Sequence, residues 1–417
     1  MSVARKRLLS AFGTARRHVT VAAATAVNRA HVAGTGVQRA CSTHEKLRNP
    51  SYWRTVDGNI RMVHSMTQPT WVTSKDESRE LMAVWPDIVR DLTEVCQHSD
   101  IPNISKWIAK VLQYNVPGGK KTRGLALVYA YKMLVSSDQI TEENIRAIRI
   151  LAWCVELLHA FFIMIDDIQD RSQFRRNQPC WYLHNDMGLA AINDSLMIES
   201  IMYQLLRKSF SGKNCYVDLV ETFQDITLKT ILGQSLDLQS TNFGKMPNLN
   251  LFTMDRYNSI VNYKSSYYTF ILPVTVAMHV AGIKDQEMFR QAKTILLEMG
   301  HFFQVQDDYL DCYGKPEITG KIGSDIEEGK CTWLVVVALQ RVTPEQRKIL
   351  EECYGISDPE KVRCVKQLYN DLGLMNMYSM YEEETYNLLN THIQQMSRGL
   401  PHGIFLKILE KLYHRES

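Results

Sequence analysis

The chain has 417 residues, 45% of them hydrophobic, and a formal net charge of +3. That is enough for one large domain or two medium ones with a sizeable core. The positive charge sits at one end: residues 1–44 hold Arg5, Lys6, Arg7, Arg16, Arg17, Arg29 and Arg39 with no acid before Glu45, so the remainder is slightly acidic and offers no support for nucleic-acid binding.

The nine cysteines are an odd number with no C-x-x-C pair, which argues for a reducing compartment and against a disulfide framework or structural zinc. The acid-free 1–44 stretch, rich in Arg, Ala, Ser, Thr and Val, reads as a mitochondrial transit peptide, a disordered tail being the alternative. Residues 45–73 read as an irregular linker. Met62 and Met66 are possible downstream starts, which would give a cytosolic form.

From about Ser74 the pattern is helical. Glu77–Cys96 is amphipathic, with Leu81, Val84, Trp85, Ile88, Val89 and Leu92 at helical spacing. Ile104–Gln113 is a second helix, ended by Val116-Pro117-Gly118-Gly119. Another starts near Arg123. Thr141 is placed to cap the next, with Glu142 and Glu143 in its first turn. The longest apolar runs, Leu151–Ile165 and Phe270–Ile283, are too short to span a bilayer. No alternating strand pattern stands out.

Two stretches echo each other. Phe161-Phe162-Ile163-Met164-Ile165 leads into Asp166-Asp167-Ile168-Gln169-Asp170, and Phe302-Phe303-Gln304-Val305-Gln306 leads into Asp307-Asp308-Tyr309-Leu310-Asp311. On a helix, residues four apart share a face, so Asp166 pairs with Asp170 and Asp307 with Asp311. Carboxylates crowded at the end of an oily helix are costly without a cation. Mg²⁺ takes oxygen ligands and bridges one or two carboxylates to substrate phosphates. A single such triplet is more often a solvated helix face; two copies behind aromatic leaders suggest one cavity, acidic at its rim and apolar below.

Around these lie weaker signals. Gly118-Gly119-Lys120-Lys121-Thr122-Arg123-Gly124 sits between two helices, where backbone amides and basic side chains suit a diphosphate, or where the glycines simply end a helix. Arg175 and Arg176 follow the first acidic stretch; they bridge a bound anion or pair with the aspartates. Gln234 and Asp237 lie three apart, Lys264 and Ser265 fall in an aromatic helix, and Lys321 lies in a glycine-bounded loop.

The ordered set Gly-Gly-Lys-x-x-Arg-Gly, Phe-Phe then Asp-Asp-x-x-Asp, Arg-Arg then Cys-Trp, Gly-Gln-x-x-Asp, Tyr-Lys-Ser, Phe-Gln-x-Gln-Asp-Asp-x-x-Asp and Gly-Lys-Ile-Gly-x-Asp resembles the farnesyl diphosphate synthases of the trans-isoprenyl diphosphate synthase family. The resemblance covers roughly residues 74–417. It implies an all-α fold, a single large bundle of about ten helices around a central cavity, and a homodimer. It implies three Mg²⁺ ions held by Asp166, Asp170 and Asp237 on one wall and Asp307 on the other, with Asp308 and Asp311 in support. Arg175, Lys264 with Ser265, Gln304 and Lys321 would grip an allylic diphosphate. Lys120, Arg123 and Arg176 would hold isopentenyl diphosphate, with His159 beside it. Phe161 and Phe162 would form the floor that limits product length.

Four departures stand out. The family commonly has Asn where Thr122 stands, Gln at His159 and Gly at Asn177. It also has a basic cluster where this chain ends in Tyr413-His414-Arg415-Glu416-Ser417. Three readings follow: a farnesyl diphosphate synthase with altered substrate preference, a derived terpene synthase that rearranges or cyclises one allylic diphosphate, and a non-catalytic partner subunit. Intact acidic motifs oppose the third, and retained Lys120, Arg123 and Arg176 favour the first.

Overall fold

Pro86 decides the first event in the chain. One helix was expected over Glu77–Cys96; there are two, α1 (Ser74–Ala83) and α2 (Trp85–Val95). Proline has no N–H and its ring collides with the preceding turn, so the helix breaks at Val84 and restarts with Pro86 in its first turn. The computed structural model describes residues 74–95, 101, 103–315, 323–397 and 399–413, all within the unit Thr70–Ser417. The readings of residues 1–44 and 45–73, of Lys321 and of the end after Tyr413 lie outside the described residues.

The fold is all-α. After α3 (Ile104–Asn115) and α4 (Thr122–Leu134) comes α5, Glu142–Gln169. Thr141 caps it, its Oγ1 accepting the Asn144 amide at 3.2 Å. By length and apolar composition α5 is long enough to cross a membrane, longer than the run Leu151–Ile165 suggested, because its polar first turns continue the same helix. Its residues Leu151–Leu158 are nonetheless buried within the protein, packed between α4 and α6 (Ala191–Phe210). The strands described are a two-residue pair, β1 (Phe174–Arg175) and β2 (Gln178–Pro179). Their loop, Arg176-Asn177, has both φ angles positive, 54° and 61°. A two-residue hairpin turn of this hand needs that conformation, and Asn adopts it readily. Asn177 therefore does the work of the expected glycine.

Next come α7 (Tyr216–Ser240) and α8 (Met254–Ile260), which runs into a π-helical segment, Val261–Ile271, and on into α9 (Leu272–Val280). The π-helical segment lies between α7 and α10 (Gln286–Tyr313). Both contacts depend on a glycine. A Cβ at Gly233 on α7 would sit 2.1 Å from the Lys264 backbone nitrogen, and one at Gly300 on α10 would sit 2.2 Å from Ser266 Oγ. The chain finishes with α11 (Asp325–Glu328), α12 (Trp333–Leu339), α13 (Pro344–Cys353), α14 (Pro359–Asp371), α15 (Leu374–Gln395) and α16 (His402–Leu412).

Two apolar clusters fill the interior. The first includes Trp153, Phe210, Phe223 and Phe302; the second includes Tyr257, Trp333, Tyr354 and Tyr369. The α10 helix runs through both, from Leu296 to Cys312, and carries the second acidic stretch at their junction.

Candidate active site

Burying carboxylates costs several kcal/mol each unless they are paired, and this site is a set of solutions to that cost. Asp166 lies in the last turn of α5, Asp170 closes the helix, and Asp237 comes from α7. Lys264 Nζ, from the π-helical segment, lies 2.6 Å from Asp237 Oδ2 and 3.1 Å from Asp166 Oδ1. Gln234, one turn before Asp237, donates to Asp166 Oδ1 at 3.1 Å and to Gln169 Oε1 at 2.7 Å. Burial pushes the Asp166 carboxyl up, but Lys264, Lys330 and Arg175 outweigh it and hold it below the usual carboxylate range. Asp170 goes the other way, to about 6, because burial and the charge on Asp166 outweigh Lys330.

The middle aspartate has a different job. Arg175 donates to Asp167 Oδ1 through Nε at 2.9 Å and Nη2 at 2.6 Å. The same guanidinium stands 3.6 Å from Asp166 Oδ2. So Arg175 is held by the acidic stretch itself, with its remaining donors left for an anion.

The second wall is α10. Asp308 is buried; it accepts from the Trp333 backbone N–H at 2.8 Å and from Gln304 Nε2 at 3.0 Å, and burial lifts its carboxyl to about 7. Asp311 Oδ2 accepts the Asp325 N–H at 3.0 Å. Asp307, one helical turn before Asp311, is half-buried.

Two short segments touch both walls. In the π-helical segment, Lys264 reaches Asp166 and Asp237 while the adjacent Ser265 Oγ donates to Gln304 Oε1 at 2.8 Å. In the strap 325–333, Lys330 Nζ lies 2.6 Å from Asp170 Oδ2 and 3.4 Å from Asp237 Oδ2, while the Trp333 N–H holds Asp308. The two acidic stretches, 141 positions apart in sequence, are thus neighbours in space.

A basic patch stands about two helical turns below Asp166, where His159 lies on α5. Arg123 at the start of α4 donates to Tyr268 OH at 3.0 Å and to Thr269 Oγ1 at 2.9 Å, and its Nη1 is 3.2 Å from His159 Nε2. Since the guanidinium can only donate, Nε2 accepts and the imidazole proton sits on Nδ1. Among the described residues, that buried Nδ1 has no hydrogen-bond partner. Burial and the charges of Arg123, Arg176 and Arg175 drive the His159 pKa well below its ordinary value, so the ring is neutral at pH 7. Arg176 crosses Gly118 and Gly119: a Cβ on either would lie 2.9 Å from its side chain. The glycines, read as a place for an anion or a plain helix end, make room for this arginine instead. Lys120 is exposed. Phe161 is buried, its ring centroid 5.0 Å from that of Phe162, which meets the edge of Tyr268 at 5.3 Å.

Every candidate metal donor here is a carboxylate oxygen, which suits a hard divalent ion. Among the described residues, no three of these side chains close on a point of their own; the ammonium groups of Lys264 and Lys330 stand between them. That fits an ion completed by the oxygens of a bound phosphate. Sequence reasoning missed Lys330, Tyr268 and the Trp333 N–H. Lys330 lies 160 positions from Asp170, and nothing local in Glu328-Gly329-Lys330-Cys331 marks it.

The polyprenyl synthetase family model matches residues 105–372. The chain is 53% identical to a farnesyl pyrophosphate synthase from Nezara viridula over 84% of this chain and 85% of that one. It is 46% identical to the farnesyl pyrophosphate synthase of Gallus gallus, over 83% and 94%. Among solved structures, a T. brucei farnesyl diphosphate synthase complexed with minodronate is similar with a TM-score of 0.76 and 28% identity, over 81% of this chain and 99% of that one.

Proposed function

The chain belongs to the polyprenyl synthetase family, and from that premise we propose that it is a Mg²⁺-dependent farnesyl diphosphate synthase. It would join isopentenyl diphosphate to dimethylallyl diphosphate and then to geranyl diphosphate. The observation that carries the site reading is the meeting of Asp166, Asp170 and Asp237 on Lys264 and Lys330, with Arg123, Arg175 and Arg176 alongside. No observation favours the terpene-forming alternative.

Asp166, Asp170 and Asp237 would hold Mg²⁺ on one wall and Asp307 on the other, three ions in all, supplying charge that stabilises diphosphate as it departs. Arg175, Lys264, Gln304 and Lys321 orient the allylic diphosphate, with Ser265 fixing the Gln304 amide. Lys120, Arg123, Arg176 and His159 hold isopentenyl diphosphate so that its double bond faces the allylic carbon. Phe161, Phe162 and Tyr268 wall the chamber and keep water from the cation. The proton lost after condensation passes to the released diphosphate, so no protein base is required.

An unpartnered apolar face supports a homodimer. Leu189, Ile192 and Leu196 on and before α6 are exposed, as are Leu228, Ile231 and Leu232 on α7, apolar side chains on two successive helices that a homodimer would cover. The acid-free 1–44 stretch supports mitochondrial import, which a fluorescent fusion to residues 1–73 would test. The activity test is direct. Purified protein given geranyl diphosphate and isopentenyl diphosphate should release farnesyl diphosphate, and geranyl diphosphate alone should give no product. Terpene hydrocarbons or alcohols from the allylic substrate alone would overturn the assignment.

A further inference from the structure

We propose that Cys353 and Cys364 are a thiol modification site, a pair that a small disulfide such as oxidised glutathione closes reversibly into a protein disulfide. Three observations carry it, and none belongs to the carboxylate site. First, two packed helices bring the cysteines together. Cys353 is the last residue of α13, Cys364 is the sixth of α14, and the two helices lie against each other. Lys361, three residues before Cys364 on α14, donates through Nζ to the Glu352 carbonyl at 2.7 Å. That bond lays this face of α14 on the end of α13, where the thiols of Cys353 and Cys364 meet in a hydrogen bond.

Second, the two thiols are unequal. Cys364 is the exposed cysteine among the described residues, while Cys353 is only 9% exposed, and burial pushes the Cys353 thiol up. Cys364 therefore meets the oxidant. Its thiolate attacks one sulfur of oxidised glutathione and expels a glutathione thiolate. Cys353 then loses its proton and attacks the Cys364 sulfur, a step its position favours, and a second glutathione thiolate leaves. Two protein thiols become one disulfide, one glutathione disulfide becomes two thiols, and those thiols take up the two protons. In a reducing compartment such a bond is transient, not structural. Third, the residues directly after Cys353 hold the strap 325–333. Tyr354 OH donates to the Lys330 carbonyl at 2.6 Å, and the Gly355 N–H donates to the Ile326 carbonyl at 2.8 Å. Tying the end of α13 to α14 restricts the support on which the strap rests, so local opening of the strap slows.

The test is to hold the native full-length protein in oxidised glutathione, block the remaining thiols by alkylation and digest with trypsin. Cleavage after Lys348, Lys361, Arg363 and Lys366 puts the two cysteines on separate peptides, 349–361 and 364–366. Mass spectrometry should find these peptides joined by a disulfide, and reduced glutathione should part them again. Cys353→Ser should trap the first step, with glutathione held on Cys364, and Cys364→Ser should leave Cys353 free to be alkylated once unfolded. Hydrogen exchange of the strap amides should slow about threefold in oxidised wild type and should not change when Cys364→Ser meets the same oxidant. Glutathione carried on Cys364 of the wild type without a link to Cys353, or a link that forms only after unfolding, overturns the site. A native link with unchanged exchange overturns its reach into the strap. Each of these results leaves the synthase assignment standing.

Discussion

His159 and His301 are both buried, and they are buried for different ends. His301 has its hydrogen bonds satisfied, with Nδ1 2.9 Å from Tyr381 OH and Nε2 2.9 Å from Asn258 Oδ1; burial lowers its pKa from 6.5 to about 4. Above the unfolded value the folded protein loses nothing by this group. As pH falls from 6.5 towards 4 the unfolded chain takes up a proton that the folded one refuses, and stability drops by about 3 kcal/mol. His301→Gln should flatten that part of the acid limb in urea melts between pH 4 and 7; an unchanged slope would refute the linkage. His159 instead keeps a buried N–H without a partner among the described residues. An unmet donor costs about 1–3 kcal/mol, which a diphosphate oxygen would repay on binding. His159→Phe should therefore raise KM for isopentenyl diphosphate about tenfold and leave KM for geranyl diphosphate unchanged in steady-state assays.

Among the elements, the π-helical segment does the most. Eleven residues, Val261–Ile271, include Lys264, Ser265, Tyr268 and Thr269, which touch both acidic walls and Arg123. The wider turn re-aims these side chains relative to an α-helix, and such insertions recur at functional sites. Gly233 and Gly300 let the segment wedge between α7 and α10. A methyl at Gly233 meets backbone, which cannot rotate away. Gly233→Ala should cost about 1–3 kcal/mol of stability and lower turnover at least tenfold by moving Lys264 off Asp237. Melting curves and product formation on the same preparation would read both, and full activity would show that the contact is dispensable.

For the whole molecule, the exposed leucines of α6 and α7 are where the proposed homodimer would form. Leu232 is 53% exposed and Leu228 58%. Leu232→Asp should convert a dimer to a monomer in light scattering with little change in far-ultraviolet dichroism; a wild type that is already monomeric would remove the partner assigned to these leucines.

Much was legible beforehand because it is local. Thr141 as a cap, the helical run through Asp166 and the carboxylates four apart all follow from 3.6-residue periodicity and capping chemistry within a few residues. The break at Val84 was equally local, but the helical spacing of Leu81, Val84, Trp85 and Ile88 masked the proline. The hairpin loop at Arg176-Asn177 needed only positive φ, which Asn supplies, so a departure from the usual glycine changed nothing in the backbone. What the tertiary structure alone decided is who meets whom. Lys330 finds Asp170 across 160 positions, Arg176 takes the space beside Gly118 and Gly119, and Asp167 turns to Arg175 while Asp166 turns to Lys264. Charge attracts charge from anywhere in a chain, and only packing brings particular oxygens and nitrogens within 3 Å. The sequence determined that this protein would gather acids and bases at the ends of apolar helices; the folded core determined the pairs.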